Sequence, residues 1–182
     1  MANVANVSAA KPKLGGAISY APTGTTLPTD ATTALDAAFV NVGYISEDGV
    51  TQALTRDSEE IKAWGGDTVM TSQTDFSETF TFTLFEILSV DVRKAMFGDD
   101  NVTGTLSTGI TTLINSTELE AKSWVFDIVY NGAVSRIVVP YGKVSEIGEI
   151  VYADGEPVGY EMTVSALPDT AGNCSYEYTV AA

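Results

Sequence analysis

The residues that most often carry catalysis are sparse in this sequence. It contains no histidine and one cysteine, Cys174. The absence of histidine removes the commonest general base and the commonest metal ligand. A single cysteine allows neither an intrachain disulfide nor a thiolate metal cluster. We expect Cys174 to be a small buried apolar side chain rather than a reactive thiol.

Three pairs of adjacent carboxylates come closest to a cation site or an acid–base pair. They are Glu47-Asp48, Glu59-Glu60 and Asp99-Asp100. None has the D-x-D-x-D-G spacing of a calcium loop. Adjacent residues on a strand face opposite sides, so the carboxylates of one pair do not converge. Solvated surface charge is the expected role of all three pairs.

Other catalytic patterns are also missing. The sequence has no Gly-rich phosphate loop with a lysine and no G-x-S-x-G elbow. Lys62 and Lys122 could act as bases only if buried beside a cleft. Carboxylates that meet only in space, as in glycosidases, would escape this search. We predict no catalytic, cofactor-binding or metal site, and no enzyme; a hydrolase with dispersed carboxylates is the least favoured alternative.

Composition restricts the partners. The net charge is −15, from 24 acidic and 9 basic residues. This opposes tight binding of nucleic acid, which needs basic side chains on phosphates, but not its passage along an acidic wall. The start, MANVANVSAAKPK, lacks an apolar signal region, and no segment reaches the ~18 apolar residues of a membrane span. We therefore expect folding in a reducing cytoplasm and no membrane partner.

The clearest structural pattern lies at residues 76–98. Its first half alternates aromatic or aliphatic residues with Ser and Thr, which predicts a strand with one buried face. The apolar positions are Phe76, Phe80, Phe82 and Leu84. A short helix of about nine or ten residues should follow, capped by Ser89 and closed by Gly98. Its apolar positions at helical spacing are Leu88, Val92, Ala95 and Met96.

Residues 122–141 predict a hairpin in which Asn131-Gly132 forms the turn with positive φ at both positions. A two-residue loop fixes the register. The expected pairs are Tyr130 with Ala133, Val129 with Val134, Ile128 with Ser135, Asp127 with Arg136, Phe126 with Ile137, Val125 with Val138 and Trp124 with Val139. Large apolar residues then share one face and an ion pair lies on the other. Pro140 should mark an edge or an end.

Further strands are predicted from alternation and turn residues. They are 14–20, 39–46 with 50–54 around an Asp48-Gly49 turn, 58–64 with 68–72 around residues 65–67, 149–152 with 158–167, and 175–180. Residues 21–35 and 99–117 are predicted as long loops with either a function or plain disorder. The fold class is mainly β: a β-sandwich or partly closed barrel with one short flanking helix. Residues 1–13 form an N-terminal arm, and 14–182 a single domain.

Three segments carry a family resemblance. VNVGYISEDGV at 40–50, IKAWGGDTV at 61–69 and FTFTLFEILSVDVRKAMFG at 80–98 occur in that order. Together they resemble the major tail, or tail tube, proteins of long-tailed bacteriophages. The resemblance implies a β-sandwich with a side helix, as in contractile-tail tubes and type VI secretion tube proteins. Some members of that family carry an extra immunoglobulin-like domain, and we expect none in this sequence, which ends at Ala182.

The resemblance implies a virion protein whose main partner is itself. Subunits would form hexameric rings stacked into a hollow tube, with joined inner sheets as the lining. An arm and a long loop would reach neighbouring rings, for which 1–13, 21–35 and 99–117 are the candidates. Tape-measure and tail-end proteins are the other implied partners, and DNA would pass during ejection without specific binding.

Electrostatics is consistent with such a role. Six copies at −15 each carry −90 per ring, and an acidic lumen would repel phosphate instead of retaining it. The alternative is an acidic β-sandwich binding module, such as a surface or carbohydrate-binding domain. The sequence offers neither a secretion signal nor a cluster of exposed aromatic residues in its favour.

Overall fold

The computed structural model describes residues 2–182. Strands dominate it, and one α-helix lies within the described residues, which confirms the mainly β class. The elements are β1 Lys11–Pro12, β2 Ile18–Pro22, β3 Val40–Asn41, β4 Ile45–Lys62, β5 Thr68–Leu84, α1 Val90–Phe97, β6 Val102–Thr105, β7 Gly109–Thr112, β8 Lys122–Tyr130, β9 Ala133–Ile147, β10 Tyr160–Leu167 and β11 Tyr176–Ala181. Short 3-10 turns occur at Val4–Asn6 and Asp99–Asn101.

Nine strands form one antiparallel sheet. Its order is β3-β2-β8-β9-β10-β5-β4, with β1 also on β8 and β11 also on β9. The strands β6 and β7 form a separate small hairpin within residues 99–117, so the prediction of a plain loop there is wrong. The loop at 21–35 is irregular after β2 ends at Pro22, as expected.

The sheet curls back on itself around the core. Phe80 on β5 stacks on Phe126 on β8 with ring centroids 4.7 Å apart, although β9 and β10 lie between these strands in the sheet. Phe82 meets the edge of Trp124 at 5.9 Å. Such contacts need a strongly bent sheet whose concave face is filled with side chains.

Helix α1 packs against this core through Val92, Ala95 and Met96, all buried. It has 8 residues, slightly fewer than predicted. Leu88 lies before the helix and is 57% exposed, so its assignment to the apolar stripe was wrong. The chain turns there instead, with the Ser89 amide donating to the Glu86 carbonyl at 2.9 Å. Gly98 ends the helix, as predicted, although its φ of 94° and ψ of 152° lie outside the left-handed helical region that a closing glycine usually adopts. The Ser89 side chain makes no capping hydrogen bond.

The β8–β9 hairpin has the predicted register at every pair from Tyr130–Ala133 to Trp124–Val139. The expected turn conformation was wrong at one position: Gly132 has φ 84°, whereas Asn131 has negative φ. Such a turn needs glycine only at its second central position.

Pro140 lies inside β9 and not at an edge or an end. It falls where β8 skips register, between the pairs Trp124–Val139 and Lys122–Gly142. On its other side, β11 pairs as far as Val138, and β10 begins at Tyr141. A bulge removes the need for the donor that proline lacks.

Several other pairings differ from the predictions. Asp48-Gly49 is part of a bulge in β4, between the pairs Ile45–Leu84 and Val50–Phe82, because β4 continues along β5 instead of folding back on itself. Residues 149–152 are not a strand, and β10 pairs with β5 and β9 instead. The predicted 14–20 strand begins only at Ile18, and 39–46 is divided between β3 and the start of β4. The final strand, β11, is confirmed.

Candidate assembly surface

A two-stranded ribbon extends from the body of the protein. It comprises residues 55–77, where β4 and β5 pair only with each other, since β10 pairs with β5 no further than Glu78. Nearly all of its residues are exposed. At ~3.3 Å per residue, the ten residues from 55 to 64 extend about 30 Å.

The ribbon confirms the predicted pairing of 58–64 with 68–72 but was not predicted at its full length. Its outer part carries exposed apolar side chains on both strands: Ile61 lies opposite Met70, and Val69 is next to it. A free two-stranded hairpin is at best marginally stable in water. Long, unpaired edges with apolar side chains are templates for pairing with another chain.

The tip of the ribbon is an ordered turn. The Ala63 amide donates to the Asp67 carbonyl at 2.8 Å, and the Gly66 amide donates to the Ala63 carbonyl at 3.0 Å. Gly65 and Gly66 have positive φ, at 116° and 101°. This turn presents Trp64 with its side chain fully exposed (107% relative accessibility).

Charges on the ribbon are not fully compensated. Asp57 and Asp75 lie directly opposite each other, an arrangement that destabilises a strand pair. Arg56 lies over the Phe76 ring at 4.5 Å and donates to Gln73 at 3.1 Å. Near its base the ribbon thus combines a cation–π contact between Arg56 and Phe76 with a pair of like charges one residue further along.

A buried carboxylate joins the ribbon to the body. Glu78 is 3% exposed and accepts hydrogen bonds from Gln52 at 2.7 Å and from Ser175 at 2.8 Å. It occupies a core-facing position of β5, between Phe76 and Phe80. The alternation of the sequence did not indicate this role, because a charged residue at that position interrupts the apolar pattern.

The convex face of the sheet carries hydroxyl groups. Thr81 on β5 shares a hydrogen bond with Thr163 on β10 at 2.9 Å, and Ser165 donates to Ser145 on β9 at 2.9 Å. The face of hydroxyl side chains predicted at 77–83 on β5 therefore continues across β10 and β9. Lys143, next to Ser165 in register, is paired with Glu118.

A buried ion pair lies on the face of the β8–β9 hairpin that is opposite the aromatic core. Arg136 is fully buried and donates to both carboxylate oxygens of Asp127, at 2.6 and 3.2 Å. It also donates to the carbonyls of Asp30 and Thr33, at 3.2 and 2.7 Å. Lys13 donates to Asp127 at 3.0 Å. Arg136 thus ties the 21–35 loop to the sheet, and Asp127 ties the N-terminal segment to it.

The three acidic pairs lie in different surroundings. Glu47-Asp48 lies exposed in the bulge of β4, and Glu59-Glu60 lies exposed on the ribbon. Asp99 accepts from Lys122 through both oxygens at 2.9 Å, beside a cavity of about 310 Å³. Within residues 2–182, no three His, Cys, Asp or Glu side chains gather where they could hold a metal ion.

Of the other candidate groups, Lys122 is buried beside the same cavity, the position required of a base, and its ammonium is held by both Asp99 oxygens. Lys62 is exposed at the end of β4. Cys174 is half-buried, and burial, followed by the charges of Glu78 and Asp169, raises the pKa of its thiol, which disfavours the reactive thiolate. Among the described residues, no helix is both long and apolar enough to cross a membrane.

Comparison with known proteins agrees with this arrangement. Residues 6–179 match the family described as Phage tail tube protein. No curated protein matches the sequence at a significant level.

Proposed function

This chain belongs to the phage tail tube protein family, a family of structural virion components, and on that premise we propose how it builds a tube. Copies associate into six-membered rings, the rings stack, and the genome passes through the channel during ejection. Tape-measure and tail-end proteins of the same tail would contact the finished tube. DNA passes without sequence-specific binding.

The ribbon at 55–77 is the observation that supports stacking. It extends about 30 Å beyond the core, it is stabilised by no third strand, and it exposes Trp64, Ile61 and Met70. These features suit an element that is covered only when another ring docks. The ribbon replaces the loops 21–35 and 99–117 as the foremost inter-ring element, since both of those loops contact the body of their own chain.

Ring closure would use the free edges of the sheet. The strands β4 and β11 each pair on one side only within the described residues. Two different edges on one subunit permit a head-to-tail contact, which generates a closed ring when successive rotations sum to a full turn. Strand addition across such an edge supplies main-chain hydrogen bonds without needing an apolar patch.

The hydroxyl face suits the channel lining. It combines Thr81, Thr163 and Ser165 with the carboxylates of Glu146 and Glu161 on the same strands, and its Lys143 is paired with Glu118. Such a lining offers DNA no free cation, and the carboxylates repel phosphate. Passage would then meet little adhesion.

Electron microscopy of concentrated purified protein tests this function. We expect rings and tubes from the native chain. A variant in which Asn-Gly replaces residues 56–76 joins Thr55 to Ser77, which are paired in the sheet. It should remain folded, because its core is unchanged, and should form no tubes. A native chain that stays monomeric at millimolar concentration, or that binds a glycan as a monomer, would overturn the proposal.

A further inference from the structure

Resting on the proposed function, we propose that Trp64 of one copy inserts into an apolar groove on a second copy and so joins successive rings. Most of the groove is lined by Pro12, Leu14, Gly15, Ala17, Tyr44 and Ile45, and its remaining lining residues are Lys13, Gly16, Gly43 and Glu86. Below, Trp64 at the ribbon tip is called the knob, and the groove where the N-terminal segment enters the sheet is called the socket.

The socket has a suitable size and character. Its volume is about 310 Å³, at the small end of cavities that hold organic ligands. Two of its walls, Leu14 and Tyr44, are large apolar side chains exposed at 99% and 79%. A side chain at Gly15 would meet no atom within 4 Å, so the entrance is open. One aromatic side chain could cover these walls.

The knob is organised before it binds. The turn of 63–67 is closed by two backbone hydrogen bonds, and Trp64 stands fully exposed on it. Tryptophan is enriched among residues that dominate binding because it buries a large area at little entropic cost. An isolated, fully exposed tryptophan on a hydrogen-bonded turn therefore indicates a contact surface.

The positions of the knob and the socket allow the same contact to repeat from one copy to the next. Strand β4 begins at Ile45, in the socket, and ends at Lys62, beside the knob. Knob and socket thus lie at opposite ends of one continuous strand of 18 residues. A copy cannot satisfy its own socket this way, and a contact between unlike ends generates an open filament when successive rotations do not close into a ring.

Charge supports a second copy as the occupant. Residues 1–29 contain Lys11 and Lys13 and no acidic residue, in a chain whose net charge is −15. The ribbon carries five carboxylates against Arg56 and Lys62. Lys13 is bound by Asp127 and Glu86 lies in the socket, whereas Lys11 is exposed and makes no ion pair among the described residues. The ribbon carboxylates of one copy would be attracted to Lys11 beside the socket of another, where unlike charges steer and orient docking.

Crosslinking tests the contact directly. Cys174→Ser is combined with Ala63→Cys in one preparation and with Leu14→Cys in another, and the two are mixed under assembly conditions. We expect a crosslinked dimer between the two variants when tubes form, and none when Tyr152→Cys, an exposed aromatic position elsewhere, replaces Leu14→Cys. Tubes without the Ala63–Leu14 crosslink would overturn the inference and leave the tube function intact.

Removal of the knob gives a second readout. Trp64→Ala should raise the protein concentration needed for tube formation at least ~30-fold, the effect expected for an interface hot spot. Its melting temperature should match that of the native chain, since Trp64 contacts no core residue. Tyr152→Ala, the matched exposed aromatic, should assemble normally. Unchanged assembly of Trp64→Ala would overturn the inference, whereas failure of the native chain to form tubes would overturn the proposed function itself.

Discussion

At the residue scale, the most constrained group is the buried Asp127–Arg136 pair. Both partners lie on the face of β8–β9 opposite the aromatic core, and Arg136 also binds two carbonyls of the 21–35 loop. Buried charges are costly when one partner is removed, because the other loses its compensation. The pair therefore contributes more to specifying the loop position than a surface salt bridge would.

Asp127→Asn should lower the free energy of unfolding by about 3 kcal/mol, since it leaves the Arg136 guanidinium buried without its counter-charge. Chemical denaturation of the monomer measures this. The double variant Asp127→Leu with Arg136→Met, which removes both charges, should be less destabilised than Asp127→Asn. If the double variant has a lower free energy of unfolding than Asp127→Asn, the ion pair stabilises the fold by more than its desolvation costs.

Asp30 organises the 21–35 loop through its carboxylate. Hydrogen bonds from the Thr33 hydroxyl and amide, and from the Thr32 amide, hold the pKa of Asp30 well below its usual value. A lowered folded-state pKa means that this contribution is complete above the unfolded value of ~3.9 and is lost as the pH falls below it.

Asp30→Asn should accordingly have a lower melting temperature than the native chain at pH 7. The difference in melting temperature between the two proteins should shrink as the pH falls from about 5 towards 3. In that range Asp30 of the unaltered chain becomes protonated when the chain is unfolded, so its charge no longer favours the folded state. Asp36→Asn, directly after this loop, is the control. An Asp30→Asn difference that stays constant with pH would contradict the role of the charge.

At the element scale, the β8–β9 turn depends on glycine. Gly132 has φ 84°, and a side chain there would meet no neighbour within 4 Å, so any cost is backbone strain alone. Gly132→Ala should destabilise the protein by about 1 kcal/mol and lower its melting temperature by roughly 2–4 °C. Asn131→Ala, at the position with negative φ, should lower the melting temperature less. Equal effects would mean that both positions need positive φ.

The ribbon should behave differently from the rest of the sheet. In free subunits its amides should exchange with deuterium far faster than those of β8 and β9, because no third strand or core packing protects them. Assembly into tubes should protect the ribbon selectively. Hydrogen exchange followed by mass spectrometry measures both states, and a ribbon that is equally protected in monomer and tube would count against its role in stacking.

At the scale of the whole molecule, charge opposes association. Each copy carries −15, so neighbouring copies repel one another at low ionic strength. Raising the salt concentration from 0.05 to 0.5 M shortens the screening length about threefold and should promote tube formation. Light scattering at several salt concentrations tests this expectation; assembly favoured at low salt would mean that attractive ion pairs dominate the interfaces.

Family membership and the β8–β9 hairpin show how much can be predicted from short stretches of sequence. Asn131-Gly132 fixed a two-residue loop, and a two-residue loop leaves one register that keeps aromatic residues on one face. The alternation at Phe80, Phe82 and Leu84 likewise indicated a buried face without knowledge of the partner strands. These features depend on neighbours within a few residues.

Tertiary structure alone decided which strands pair and which are left unpaired. Nothing in the turn residues Asp48-Gly49 shows that β4 continues along β5 for 18 residues rather than folding back, because the choice depends on the stability of the competing long pairing. The buried position of Glu78 depends on Gln52 and Ser175, which are distant in sequence. Sequence thus determined the period and faces of the strands, whereas the free ribbon and its exposed tip follow from long-range pairing.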